Sequence, residues 1–307
     1  MRPLAVVGNV NVDLIMGPAA PWPQPGTEII VDHDELRVGG SAGNAALAWM
    51  ALGTPFEIAA SIGSDRFGAW LAEGFGERVR NWPVHGDSTT LSVGITHPDG
   101  ERTFFTTRGH LPLFSLEDVF AVLDGSRLAG GIALLCGSFL TDRLVEDYDR
   151  FFDWADRHGI AVALDTGWPL HGWTESNRAA AKGWLSRCRI ALFNEVETTS
   201  LAGVADPAEA GRILRRGMPE GAVVVVKCGP KGAIAVDADG GLLRAEAPRV
   251  AVVDTIGAGD VFNAAFLAAY AGGRGLEASL AAGTTVASTA ISTHPRRYVP
   301  TAEKGPA

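Results

Sequence analysis

The residues Asp254-Thr255-Ile256-Gly257-Ala258-Gly259-Asp260 stand directly before an Ala-rich apolar stretch, 261–271. Gly257 and Gly259 permit positive φ and keep side chains away from the backbone N–H groups, and a helix start adds unpaired donors and partial positive charge. The combination makes an anion hole with an acid, Asp260, beside it. The same residues also read as a tight turn closed by a helix-terminal acid, because a Gly-x-Gly before a helix is weak by itself. Absent motifs narrow the chemistry. No GxxxxGK[ST] occurs, so a P-loop is excluded, and Gly8-Asn9-Val10-Asn11 stands where a dinucleotide-binding strand would carry GxGxxG. There is no HExxH, no His/Cys cluster with zinc-ligand spacing and no GxSxG elbow. His85, His97 and His110 are scattered around one hairpin and read as surface histidines.

The elements that must position these residues follow a β-α rhythm. Leu4 to Ile15 reads as a β-rich run that opens without alternation, as in a strand buried on both faces. Pro18, Pro21, Pro23 and Pro25 then mark a non-helical connector, and Ser41 to Leu52, with Gly53 past its end, reads as a helix. A strand over 56–62 and an amphipathic helix over 65–79 follow. Residues 91–97 and 102–108 flank Pro98-Asp99-Gly100-Glu101, which is hairpin chemistry. From 132 the rhythm resumes, with strands at 132–136, 160–165 and 189–193 and helices at 142–157 and 175–187. The runs 223–226, 233–237 and 242–246 read as an antiparallel meander, and the helices 259–271 and 276–291 close the chain before a polar tail. Such alternation predicts an α/β fold with a mostly parallel sheet and helices on both faces.

Composition excludes several function classes. The 307 residues are enough for one or two domains with a substantial core, without disulfide or structural metal. With 26 basic against 35 acidic side chains the net charge is -9, which argues against a nucleic-acid surface but not against a small anionic ligand. Cys136, Cys188 and Cys228 form no CxxC pair and read as buried, reduced thiols of a cytoplasmic protein. No apolar run reaches about 18 residues, so neither a signal peptide nor a membrane span is expected.

Taken in order, Gly8-Asn9-Val10-Asn11-Val12-Asp13, Gly39-Gly40-Ser41-Ala42-Gly43-Asn44, Asn194-Glu195-Val196-Glu197, Lys227-Cys228-Gly229-Pro230-Lys231-Gly232 and Asp254 to Asp260, with Phe262-Asn263 after them, make a pattern. It resembles the ribokinase-like PfkB carbohydrate kinase family over essentially the whole chain. The resemblance implies a single domain over 1–307, a three-layer αβα fold, and a small β-lid from the 16–36 and 90–109 segments that closes over a sugar and pairs two subunits into a homodimer. It implies that Asp260 accepts the proton of the attacking hydroxyl and that Gly257, Ala258 and Gly259 form the anion hole. Asn11, Asp13, Gly39, Gly40 and Asn44 would bind substrate, and Asn194, Lys227, Gly229 and Gly232 the nucleotide. Glu197 would hold Mg²⁺ through water, and Asp254 a monovalent cation such as K⁺. The implied partners are ATP and a small sugar or nucleoside, with neither nucleic acid nor membrane.

Departures from ribokinase itself bear on the substrate. Ser41 occupies the place where ribokinases carry a Lys after the glycine pair, and Lys227 stands where they carry a hydroxyl residue. Leu135-Cys136-Gly137-Ser138-Phe139 stands where ribokinase leads into an acidic sugar ligand, so ribose is disfavoured and fructokinase-type and nucleoside-kinase-type acceptors gain ground. Arg102, Arg108 and His110 on the hairpin read either as contacts to an acidic or phosphorylated substrate or as solvated residues. Phosphoryl transfer needs in-line positioning and charge stabilisation more than covalent help, which suits an anion hole and a weak base. The competing reading is a catalytically silent binding protein on the same fold.

Overall fold

The computed structural model describes residues 1–99 and 101–299; Gly100 of the expected hairpin turn and the tail from residue 300 lie outside the described residues. The run Leu4–Gly8 (β1) is buried throughout, with Leu4 and Val6 facing one core and Ala5 and Val7 the other. The β-rich run Leu4 to Ile15 is divided between two sheets. The chain breaks at Asn9-Val10 and restarts as β2 (Asn11–Gly17) in a different, smaller sheet. β3 (His33–Gly39), α1 (Ser41–Ala51), β4 (Glu57–Ala59) and the short pair β5 (Ile62–Gly63) and β6 (Val84–His85) around α2 (Arg66–Phe75) follow. The hairpin is β7 (Leu91–Thr96) and β8 (Arg102–Thr106), and α3 (Leu116–Val122) leads back to the large sheet.

The second half alternates as expected. It runs β9 (Ile132–Cys136), α4 (Asp142–Glu146), α5 (Tyr148–Arg157), β10 (Ala161–Asp165), α6 (Glu175–Leu185), β11 (Ile190–Asn194), α7 (Glu195–Ala202), α8 (Pro207–Arg216) and β12 (Val223–Lys227). The meander β13 (Ala233–Val236) and β14 (Leu242–Ala245) and the helices α9 (Ala258–Ala271) and α10 (Leu276–Ile291) complete it. The sequence reading had no α3, α7 or α8. All are short, and their signals lie in their caps: Ser115 with Asp118, Asn194 with Glu197, and Asp206 before Pro207.

The large sheet has the order β14-β13-β12-β11-β10-β9-β1-β4, parallel except for the meander edge. One face packs on α1, α2, α9 and α10, the other on α3, α5, α6, α7 and α8, which gives three layers. Trp49 Nε1 donates to Ala264 O at 2.7 Å and ties α1 to α9. From β1 the chain goes outward to β4, then returns to the other side of β1 at β9 and continues outward from there. Such a reversal opens a crevice at the carboxyl ends of the parallel strands, the usual ligand position in open α/β sheets.

The small sheet has the order β3-β2-β7-β8. β2 pairs antiparallel with β3 and parallel with β7, so the sheet is mixed. It starts immediately after the carboxyl end of β1, which places it over the crevice. Among the described residues no helix is long and apolar enough to cross a membrane, and all three cysteines are free and buried.

Candidate active site

The carboxyl ends of β1, β9, β10, β11 and β12 deliver Asn9, Gly137, Asp165, Asn194 and Lys227 to one edge of the sheet, facing the start of α9. A cavity of about 760 Å³ opens there. Its walls include the expected Asn194, Glu197, Lys227, Gly229, Gly232 and the whole Gly257 to Asp260 turn. The volume suits a nucleotide-sized ligand. A largely apolar wall from 247–252 and from α10, including Val250, Val252 and Ile291, was not foreseen, since it carries no motif.

Gly257 is the N-cap of α9 at φ 75°, and a Cβ on it would meet the Asn44 amide at 2.8 Å, so only glycine fits. The backbone N–H groups of Gly257, Gly259 and Asp260 have no acceptor among the described residues, whereas Ala258 N donates to Thr255 O at 3.1 Å. Within the turn expected to form an anion hole, the Ala258 amide closes the turn and the open donors flank it.

Asp260 is held by Asn44, whose Nδ2 donates to its Oδ2 at 2.9 Å. Burial and the neighbouring Asp165 push its pKa up to about 6, against the pull of Asn44 and Lys227. Asn44 thus orients the acid as well as standing near the substrate side. Lys227 Nζ bonds Asp165 Oδ2 at 2.7 Å and Asn263 Oδ1 at 3.2 Å, and Asn263 Nδ2 donates to the same Asp165 oxygen at 2.6 Å. Burial pulls the ammonium pKa down, but Asp165, Glu197 and Asp260 outweigh it and hold Lys227 above its ordinary value. Lys227 therefore lies beneath Gly259 rather than out on the Gly229–Lys231 turn. Asp165 and Asn263 belong to this network and were not assigned from sequence. An acid at the end of a predicted strand was the signal for Asp165.

Asn194 and Glu197 form a reciprocal capping box at the start of α7, each side chain bonding the other's backbone N–H at 2.8 Å. Burial and Asp165 raise the pKa of Glu197. On the other side of Asp260, Asn11 Nδ2 donates to Asp13 Oδ1 at 2.7 Å, and burial pushes Asp13 up to about 6 against Arg37 and Asn11. Gly39 and Gly40 are required by space. A Cβ on Gly39 would fall 2.1 Å from the Asp13 carboxyl carbon, and one on Gly40 2.4 Å from Asn9 O.

Asp254 departs from expectation. Its Oδ2 receives Arg37 Nη1 at 2.5 Å and Arg296 Nη2 at 2.7 Å, and its Oδ1 receives Ile256 N at 2.9 Å. Burial raises its pKa, but the Ile256 N–H and the two guanidiniums outweigh burial and hold it below the usual range. The hairpin residues separate likewise. Arg102 Nη1 bonds Thr255 Oγ1 and lines the cavity, whereas the Arg108 side chain is 84% exposed beside Asp142. His110 is fully buried, not a surface residue: Thr90 N donates to its Nδ1 at 3.1 Å, Nε2 lies 2.9 Å from Ser61 O, and burial pulls its pKa down to about 4.

Comparison with known proteins bears on the family and the fold. The description pfkB family carbohydrate kinase matches residues 1–301. The chain is 24% identical over 292 residues to mouse ketohexokinase, covering 93% of this chain and 95% of that protein. It is 25% identical to the ribokinase of Schizosaccharomyces pombe, covering 90% and 88%. Among solved structures, Arabidopsis thaliana ribokinase complexed with ribose and ATP superposes with a TM-score of 0.77 at 24% identity, covering 95% of this chain and 93% of that one. The Sinorhizobium meliloti adenosine kinase reaches 0.81 at 22% identity, covering 97% and 96%.

Proposed function

The chain belongs to the pfkB family of carbohydrate kinases, and from that premise we propose that it transfers the γ-phosphoryl group of ATP to a primary hydroxyl of a sugar or sugar-like substrate. The observation that carries the reading is Asp260 in the first turn of α9, oriented by Asn44 and flanked by the unpaired N–H groups of Gly257 and Gly259. The substrate oxygen attacks the γ-phosphorus, its proton passes to the Asp260 carboxylate, and the bond from phosphorus to the ADP oxygen breaks. With a pKa of about 6, Asp260 is ionised at neutral pH and ready to accept that proton. The open amides and the α9 dipole meet the charge on the transferring group.

Substrate hydroxyls are held by Asn11 and Asp13 from β2, with Gly39 and Gly40 letting the backbone come close. Triphosphate runs along the 227–232 turn, with Asn194 at its side and the base against the 247–252 wall. Relatives whose names give ketohexose, ribose and nucleoside acceptors support a polyhydroxylated substrate.

Among the described residues no group of three His, Cys, Asp or Glu side chains forms a metal cage. That fits Mg²⁺, which keeps waters and shares phosphate oxygens rather than entering an all-protein site. Asp165, Glu197 and Asp260 crowd negative charge around one Lys, so the donor set favours a divalent cation, with Glu197 its holder. Held there by Glu197 through water, Mg²⁺ would supply neutralisation of phosphate charge. A monovalent cation at Asp254 does not fit, because two guanidiniums already engage that carboxylate. The small sheet acts as a lid, and its exposed Leu36, Phe104 and Phe105 support pairing with a second subunit.

An ADP-release assay over sugars, sugar acids, sugar phosphates and nucleosides tests the activity. Asp260→Asn keeps the shape and removes the proton acceptor, so turnover should fall about a thousandfold or more with substrate affinity little changed. Turnover within a few-fold of wild type would remove Asp260 from the mechanism.

A further inference from the structure

Next to the substrate residues the protein builds a guanidinium cluster that phosphoryl transfer does not require. Arg37 lies on β3 directly opposite Asp13 on β2, so both side chains leave the same face of the small sheet. Arg296 comes back from the segment after α10 to share Asp254 with Arg37, and Arg102 from β8 reaches Thr255, the next residue. Three elements distant in sequence thus converge their cationic ends just before the anion hole. Asp254 takes two of them, Glu35 stands 3.7 Å from Arg37 Nη1, and Asp13 lies near enough for Arg37 and Arg296 to pull its pKa down against burial.

The Arg37 guanidinium is only half used. Its Nη1 serves Asp254, while Nε and Nη2 are buried and have no hydrogen-bond acceptor among the described residues. Buried charged donors are ordinarily satisfied, and an orphaned pair asks for an explanation. Nε and Nη2 form one edge of the planar guanidinium, with two parallel N–H groups that match the two oxygens of a carboxylate or of a phosphate. A neutral hydroxyl offers only one oxygen to such an edge.

We propose that the substrate carries an oxyanion, a carboxylate or a phosphate ester, away from the hydroxyl that is phosphorylated, and that Arg37 with Arg102 recognises it. The inference rests on the kinase reading and narrows its substrate to acidic or phosphorylated sugars. The sugar bridges two stations: Asn11, Asp13 and Asp260 hold the reacting end, and the Arg37 edge takes the oxyanion as the small sheet settles over it. Arg102 lines the cavity wall and supplies a second cation. Arg296 acts indirectly, by holding Asp254 so that Arg37 is fixed. The nucleotide's phosphates are not the anion meant for Arg37, which like Arg296 is absent from the wall of the cavity that holds the 227–232 turn; Arg102 lines that cavity, so its variant is read for ATP affinity as well.

The test is calorimetric binding of the purified protein to aldonic and 2-keto-aldonic acids and to pentose and hexose phosphates, each paired with its neutral parent sugar or polyol. The tightest ligand should be anionic and at least about tenfold tighter than its neutral partner. The acid and phosphate arms then tell which oxyanion the site takes. Arg37→Gln and Arg102→Gln should each cut that preference about tenfold, and the second, on the cavity wall, guards against a folding defect in the first. A neutral tightest ligand, no anionic ligand at all, or a preference intact in both variants would overturn the inference. So would a loss confined to ATP affinity. Failure of the kinase reading looks different: anionic ligands bind and the variants weaken them, yet no ADP is released with any of them.

Discussion

Two charge clusters flank the anion hole, and they are near opposites. On the nucleotide side one cation, Lys227, lies among Asp165, Glu197 and Asp260. On the small-sheet side one buried carboxylate, Asp254, is shared by Arg37 and Arg296, with Arg102 at the adjoining Thr255. The first cluster has carboxylate to spare; in the second, three guanidiniums stand near Asp254, Asp13 and Glu35, and what lacks an acceptor is the Nε–Nη2 edge of Arg37. On the proposed reading each unmet group indicates what the region takes, since an unpaired polar or charged group out of water is costly until a partner arrives. On that reading the first would take a cation and the phosphates it carries, and the second an anion. With both clusters beside one turn, 254–260, the proposed charged substrate would have its two ends separated and its acceptor hydroxyl at Asp260.

The comparison breaks most visibly if Asp13 is not a substrate residue. Asp13 sits among the small-sheet arginines yet carries the opposite charge, so on the proposed reading it accepts hydrogen bonds from substrate hydroxyls and does not meet an anion. Hydrogen bonds to a charged group contribute about 1.5–3 kcal/mol each, so losing two in Asp13→Ala predicts at least about a hundredfold rise in the sugar KM, with the ATP KM nearly unchanged. A sugar KM within a few-fold of wild type would return Asp13 to a structural role in bracing Asn11.

Lys227→Met sharpens the other cluster. Removing one partner of a buried ion pair costs about 3–5 kcal/mol, so a large drop in thermal stability is expected. Its distinguishing readout is the pH profile. Asp260 must be ionised to accept a proton, and with a pKa of about 6 the wild-type rate is lost as pH falls through that value. Lys227 is one of the groups that hold this pKa down. Without it the acid limb should move to higher pH, whereas Lys227→Arg should keep the limb near its wild-type position. A limb that stays in place in the Met variant would mean that Lys227 supports the fold and not the acid.

The two clusters were unequally legible in the sequence. The Gly257 to Asp260 turn, the Gly39-Gly40 pair and Asn194 with Glu197 are each set by local backbone demands, so neighbouring residues carry the signal. The charge partners are not local. Lys227 meets Asp165 across 62 positions and Arg37 meets Asp254 across 217. Local periodicity places each of these residues on a strand or turn but cannot say which distant side chain it faces. His110 shows the same limit: it stands in a polar hairpin segment, and only the packing of Ser61 and Thr90 around it makes it a buried, neutral bracket. The sheet itself was readable because Val-rich strands and Ala-rich helices alternate, whereas the division of Leu4 to Ile15 into two sheets turns on the single break at Gly8 to Val10.

The smallest expected effect tests the guanidinium side by its indifference. A K⁺ ion beside Asp254 would stand close to both Arg37 and Arg296, and a like charge about 4 Å away costs about 4 kcal/mol at an effective dielectric constant of 20. Asp254 offsets one of the two repulsions, and the other remains. Since about 1.4 kcal/mol is a factor of ten, the remainder disfavours a cation there by several hundredfold relative to bulk solution. Exchanging Na⁺ for K⁺ at constant ionic strength, which keeps screening equal, should therefore change the rate by less than about twofold. Arg296→Met frees one contact on Asp254 Oδ2 and should make the rate more sensitive to K⁺ than in the wild type. Strong K⁺ activation of the wild-type enzyme would show that the arginines leave Asp254 during turnover, and the contrast between the two clusters would then describe only the resting protein.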